Sequence, residues 1–178
     1  MERWLVLYDA DCGLCNWLLA GLLSWDRAQR LQPVALQTER AAGLLAELNP
    51  EQRLASWHLI APTGERPEAA AETEADAATA ADDSEADSSS AEEAPAAVAQ
   101  RYSAGAALPP LLRLLPGGAL PASALAAAPQ LTEHAYRWVA AHRNLLSKAI
   151  PAASKRRASA FVSRRESARI AERRESAL

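Results

Sequence analysis

Cysteine is scarce in this sequence: the 178-residue chain holds only Cys12 and Cys15, alongside one Met, one Phe and three His. Two cysteines cannot build the multi-bridge framework of a small secreted domain. Without a second Cys-x-x-Cys, the chain also lacks four sulfur ligands for zinc. The histidines do not make up the deficit. His58 falls in a strand-like run, where packing is its expected task. His134 and His142 stand eight apart on a helical stretch, where solvated or partly buried rings are expected. No metal and no cofactor are therefore predicted. Long apolar runs are missing too. No stretch of about 18 uninterrupted apolar residues occurs, so no transmembrane helix is expected. The richest segment, Leu108 to Leu131, is broken by five prolines and by Gly117-Gly118. The start, Met1-Glu2-Arg3-Trp4, leads straight into a short apolar run, without the longer apolar region and cleavage site of a secretory signal. These readings place the protein in the cytosol, where a pair of cysteines is more often catalytic or metal-binding than structural.

What is present is unevenly distributed. The hydrophobic fraction is 49%, inflated by alanine, which suits one domain with a modest core. The net charge of −3 conceals two opposed blocks: residues 65–93 carry 11 Asp and Glu against one Arg, and residues 147–178 carry nine Lys and Arg against three Glu. Neither block has the apolar surface to offset the entropy of ordering it, so both are expected to be solvated. The predicted organisation is a single domain over 1–148, interrupted by a disordered acidic insertion at about 65–97. A basic, partly helical or disordered tail follows at 149–178. Within the tail, Arg-Arg-Glu-Ser-Ala occurs twice, at 164–168 and 173–177, too few copies for a solenoid.

Along the chain, Trp4 to Tyr8 reads as a buried strand of the kind covered on both faces. Leu14, Trp17, Leu18, Leu22 and Trp25 recur at helical spacing, with Asp26 ending the helix. Leu31 to Leu36 is a second strand. Thr38 is placed to cap a helix through Leu44, Leu45 and Leu48, which Asn49-Pro50 would stop. Ser56 to Ala61 is a third strand, closed by Pro62-Thr63-Gly64, and Val98 to Tyr102 a returning fourth. Short helices are expected at Leu111–Leu115 and Ala122–Ala127. Thr132 would cap a longer one with Ala135, Trp138, Val139 and Leu146 on its apolar side, and Pro151 would end the domain. The order β-α-β-α-β-β, followed by helices, makes the fold class α/β with a small mixed sheet.

Chemistry concentrates at Cys12-Gly13-Leu14-Cys15. A Cys-x-x-Cys pair is a weak motif by itself. Opening a helix directly after the first strand of a strand–helix–strand unit makes it a much stronger one. Cys12 would stand at a helix N-terminus, where unpaired N–H groups and the helix dipole favour a thiolate, and Cys15 would lie one turn on, able to resolve a mixed disulfide. Two ordinary buried thiols, or half of a metal site, are the competing readings. Asp9 and Asp11 flank the pair. A carboxylate there would oppose the thiolate. It could relay protons or order the loop; the plainer role is an aspartate turn whose oxygen accepts backbone N–H bonds.

The run Leu5-Val6-Leu7-Tyr8-Asp9-Ala10-Asp11-Cys12-Gly13-Leu14-Cys15-Asn16 resembles the signature of the DCC family of thiol-disulfide oxidoreductases, also called the DUF393 family. Trp25-Asp26-Arg27, Ala35-Leu36-Gln37, and Tyr136-Arg137-Trp138-Val139-Ala140 with His142-Arg143-Asn144 extend the likeness over about 1–62 and 97–148. The resemblance implies a thioredoxin-like fold and a disulfide oxidoreductase activity, with Cys12 and Cys15 catalytic. Three departures stand out. Ala10 occupies a position where the family usually has Gly. Ala104 follows Ser103 where the family often has Asp. The acidic insertion and the basic tail are unusual for the family. In addition, neither Pro33 nor Pro62 is placed like the proline that faces the dithiol in thioredoxins.

The expected activity is a thiol-disulfide oxidoreductase acting on a disulfide-containing protein or small thiol, with a separate thiol system as reductant. The alternative is a non-catalytic thioredoxin-like binding module with structural cysteines. A glutathione-dependent activity is a further enzyme reading. The basic tail does not make a nucleic-acid site, because Phe161 is its only aromatic and no binding motif accompanies the charge.

Overall fold

The structure is a computed structural model that describes residues 3–62 and 100–175. Thr63, Gly64, the acidic stretch and Val98 lie outside the described residues. Strand β1 (Trp4–Tyr8) is followed by helix α1 (Gly13–Trp25), strand β2 (Leu31–Ala35) and the short helices α2 (Glu39–Leu44) and α3 (Pro50–Ala55). Strands β3 (His58–Ile60) and β4 (Arg101–Ser103) complete a four-stranded mixed sheet of order β2-β1-β3-β4. β1 runs parallel to β2 and antiparallel to β3, and β3 runs antiparallel to β4. A 3₁₀ turn (Ala104–Ala107) leads into α4 (Leu108–Arg113), α5 (Ala119–Ala127), α6 (Pro129–Ala141), α7 (Arg143–Ala149) and α8 (Ala152–Glu175). No described helix is long and apolar enough to cross a membrane.

The unbroken apolar run of β1 is explained by burial on two faces. Trp4, Val6 and Tyr8 join Leu19 and Leu23 of α1, Leu111 of α4 and Val162 of α8 in the larger core. Leu5 and Leu7 point the other way, into a smaller core with Val34, Ala41, Leu45 and Ile60. Side chains alternate across a strand, so a strand buried on both faces reads as a continuous run.

The outer edge of β2 is closed by side chains. Leu31 N donates to the buried carboxylate of Asp26 (2.8 Å), and Ala35 N donates to Glu166 of α8 (3.0 Å). Pro33, between them, has no N–H to satisfy, the one way proline sits easily in a strand. Asp26 also accepts from Arg30 N (3.1 Å), so the residue that ends α1 starts β2.

Four expectations are corrected. Asn49-Pro50 starts a helix rather than merely stopping one. Asn49 accepts from Gln52 N (2.8 Å) while the Gln52 side chain accepts from Asn49 N (3.1 Å), a capping box with proline at the first helical position. Thr38 does cap α2, through a bond from Ala41 N, but that helix ends at Leu44. Thr132 does not cap the long helix. It lies inside α6, donating to Leu125 O (3.0 Å), and a break at His142 puts Leu146 in α7. Finally, residues 152–175, expected as a partly helical or disordered tail, form the continuous helix α8, which packs along α1 and beside β2 and buries Val162 completely.

Two of the positions that depart from the resembled signature have clear backbone outcomes. Ala10 does not take a left-handed conformation, so alanine fits there, whereas Ala104 does, at φ 54°, a region alanine enters at a cost of roughly 1–2 kcal/mol.

Candidate functional site

The site is the junction of β1 and α1, at the carboxyl ends of two parallel strands. The connecting loop is held from three directions. Asp9 O accepts from Cys12 N (3.3 Å), closing the turn. Asp9 Oδ1 accepts from Asp11 N (3.1 Å) and from Gln37 Nε2 (2.8 Å), Gln37 Nε2 also reaches Asp11 Oδ2 (3.3 Å), and Ala10 N donates to Gln37 Oε1 (3.3 Å). Gln37 follows β2, so the loops after the two parallel strands clasp each other. From the helix side, buried Asn16 donates through Nδ2 to Ala10 O (2.7 Å) and Cys12 O (3.1 Å). A loop tied at so many polar atoms has few alternative conformations to give up when it binds a partner.

Cys12 is the N-cap of α1, in extended backbone (φ −83°, ψ 105°), and its Sγ accepts from Cys15 N at 3.2 Å. Serine or aspartate normally fills this role; here sulfur does. The same atom is joined to Cys15 in a disulfide, with Cα atoms 5.2 Å apart, within the span such a bond needs. Both cysteines are half-buried. The N–H that meets Cys12 Sγ, together with the positive end of a 13-residue helix, is the environment that stabilises sulfur as an anion when the bond opens.

Two later helices cover this junction. Ser147 of α7 and Lys155 of α8 press on Gly13, inside the Cys-x-x-Cys loop, and Lys155 Nζ donates to Ser147 O (2.9 Å) and Oγ (3.3 Å). On the other side, a cavity of about 280 Å³ opens beside Cys15. Leu14 and Leu18 of α1, Leu54 of α3, Trp57, and Val139 of α6 supply its apolar wall, and Asp9 and Arg143 are its charged lining residues. Tyr136 and Thr132 also line it, but their hydroxyls are already engaged: Trp57 N donates to Tyr136 Oη (2.9 Å), and Thr132 donates within its own helix pair.

All four residues singled out from sequence (Cys12, Cys15, Asp9 and Asp11) thus meet in one place. The carboxylates do different things from the sulfurs. Both take bonds from Gln37, and Asp9 closes the turn. The sequence reading did not single out Gln37, Asn16, Ser147, Lys155 and Arg143 as site residues. Asn16 had a usable signal, a polar residue on the apolar face of a helix. Lys155 and Ser147 had none, because nothing local says where a distant helix docks. Among the described residues no three His, Cys, Asp or Glu side chains converge as a metal site would require. His58 is buried in β3, away from this loop. Its Nδ1 is 2.7 Å from Ser103 Oγ, its Nε2 3.0 Å from Arg53 O, and burial, with Arg101 nearby, lowers its pKa against the opposing pull of the Arg53 carbonyl bond. Comparison of the chain with models of known families, with curated proteins and with solved structures finds no match.

Proposed function

We propose that the protein is a thiol-disulfide oxidoreductase of thioredoxin-like architecture, related to the DCC family, that works through Cys12 and Cys15. The observation that carries this reading is the half-buried Cys12–Cys15 disulfide at the N-terminus of α1, with Cys12 Sγ receiving the Cys15 N–H. A structural disulfide three residues long closes too short a loop to constrain the unfolded chain much. Its value lies in chemistry. The order β1-α1-β2, two short helices, then β3 antiparallel to β1 and β4 antiparallel to β3, further supports the thioredoxin-like reading.

The reaction starts from the dithiol. Cys12, as thiolate, attacks one sulfur of a substrate disulfide. The old S–S bond breaks and the departing thiolate takes a proton. The product is a mixed disulfide between Cys12 and substrate. Cys15 then loses its proton, attacks Cys12 Sγ and expels the second substrate thiolate, which is protonated in turn. Substrate has gained two electrons and two protons, and the protein carries the disulfide seen in the structure. A second dithiol, external to this chain, returns the two electrons and two protons. Asp9 and Asp11 act here by positioning the loop through Gln37 rather than by touching substrate.

The test is a single-turnover assay in which pre-reduced protein meets excess bis(2-hydroxyethyl) disulfide. Loss of at least about 100-fold in rate is expected for Cys12→Ser, and Cys15→Ser should accumulate the mixed disulfide. A Cys12→Ser protein as fast as wild type would sink the proposal. It would leave the binding-module reading, on which both thiols should also resist iodoacetamide at pH 7.

A further inference from the structure

The cavity beside Cys15 has a composition that selects a ligand. Its wall is almost wholly apolar, and the Tyr136 and Thr132 hydroxyls are bonded to the protein's own backbone. Asp9 spends Oδ1 on Gln37 and on the Asp11 amide. Arg143 is different. It is half-buried and lines the cavity from the first residue of α7, and it has no hydrogen-bond or ion-pair partner among the described residues. A guanidinium carries five donors, and it binds carboxylates in a planar fork. A pocket lined by apolar side chains, by Cys15 of the disulfide and by an unpaired guanidinium fits a molecule with three matching parts.

We infer that the cavity is the substrate subsite of the dithiol, and that it takes a small organic disulfide whose apolar chain ends in a carboxylate. This rests on the oxidoreductase reading above and names its substrate class. The chain fills the space lined by Leu14, Leu54, Trp57 and Val139, the carboxylate pairs with Arg143, and the disulfide lies at the Cys15 side of the cavity, within reach of the Cys12 sulfur to which Cys15 is joined. At about 280 Å³ the space suits a medium-length chain rather than a folded polypeptide segment. A protein disulfide would present only a side chain to it and would leave Arg143 unpaired.

Lipoate, a five-membered cyclic disulfide on an apolar chain with a terminal carboxylate, is the probe, and lipoamide, with the same body and a neutral end, is its control. In the single turnover the dithiol becomes the Cys12–Cys15 disulfide and lipoate becomes dihydrolipoate, gaining two electrons and two protons, so no further reductant is needed. Reduction of lipoate should be about tenfold faster than reduction of lipoamide, and Arg143→Gln should remove that difference while leaving lipoamide unchanged. Val139→Phe, which fills the cavity, should slow both by a larger factor than it slows bis(2-hydroxyethyl) disulfide. Equal rates for lipoate and lipoamide in wild type, or an Arg143→Gln effect shared by lipoamide, would overturn the assignment. Calorimetry with octanoate, which has the chain and carboxylate but no sulfur, separates the two levels of inference. If octanoate does not bind the Cys12→Ser/Cys15→Ser protein, the subsite is wrong whatever the redox activity. If octanoate binds but no disulfide is ever reduced, the oxidoreductase reading fails and takes the substrate role with it.

Discussion

The side chain of Lys155 fills the space a β-carbon would need on Gly13: its Cδ lies 2.9 Å from that point, and its Cγ 3.7 Å. Gly13 is the first residue of α1 and sits between the two cysteines, while Lys155 comes from the first turn of α8. The lysine cannot easily swing aside, because Nζ is bonded to both the carbonyl and the hydroxyl of Ser147. A basic segment distant in sequence therefore touches the Cys-x-x-Cys loop itself.

This contact fixes the sign of a substitution that intrinsic propensity would get wrong. In a free helix, Ala is better than Gly by up to about 1 kcal/mol. Here Gly13→Ala should instead destabilise, by about 1–3 kcal/mol, as overpacked sites do. In a Lys155→Ala background the same change should be neutral or stabilising. A double-mutant cycle from denaturant unfolding measures the difference. Gly13→Ala as stable as wild type would show that α8 does not bear on the loop.

His58 makes stability depend on pH. The carbonyl of Arg53 can only accept, so Nε2 carries a proton; in the neutral ring Nδ1 accepts from Ser103 Oγ, and a second proton there would make that hydroxyl turn to accept. Burial, the larger cause, and the charge of Arg101 both hold its pKa below the ordinary value, against the Arg53 carbonyl bond. The unfolded chain thus binds a proton more readily than the folded one. Stability is fully present above about pH 6.5, the unfolded value, and falls as pH drops from there towards the folded pKa. Between pH 7.5 and 5.5, wild type should lose more stability than His58→Gln. An NMR titration placing the His58 midpoint at or above about 6.5 would contradict this.

How much of this was legible beforehand divides along local and non-local lines. The strand at Trp4–Tyr8, the helix opening at the cysteines and the cap at Thr38 were readable, because each depends on residues within a turn or two. Helix α3 is encoded locally too, since Asn49, Pro50 and Gln52 spell out its start, but a proline after one helix looks like a stop and, at a first helical position, is a beginning. The basic segment was misjudged for a physical reason. Its composition is too polar to form a core, but a helix needs only a narrow apolar stripe when another element supplies the rest of the core. Ala158 and Val162, four apart, are that stripe. At the site, the cysteines and aspartates were visible as a local motif. Gln37, Lys155 and the cavity wall were not, since they arrive from β2, α8 and α6 and no spacing encodes the meeting.

Glu166 tests whether α8 is integral to the fold. Its Oε1 accepts from Ala35 N on the outer edge of β2 (3.0 Å), and its Oε2 accepts from the hydroxyl of buried Tyr8 (3.4 Å). Replacing it with alanine strands a backbone N–H and a phenol in a packed setting. Leaving such donors unsatisfied costs about 1–3 kcal/mol each when fully buried, so a total loss of about 2–3 kcal/mol is expected here. Gln should recover more than half, since its amide oxygen can still accept from Ala35. Tyr8 gives a second readout. Its pKa is raised, first by burial and then by the charge and hydrogen bond of Glu166. Glu166→Gln should therefore lower the alkaline midpoint of Tyr8 ionisation without returning it to the ordinary tyrosine value, because the burial remains. Absorbance titration above pH 10 follows this directly. If Glu166→Ala leaves both stability and the Tyr8 midpoint unchanged, α8 is not docked on β2 in solution, and the cover it places over Gly13 and the dithiol goes with it.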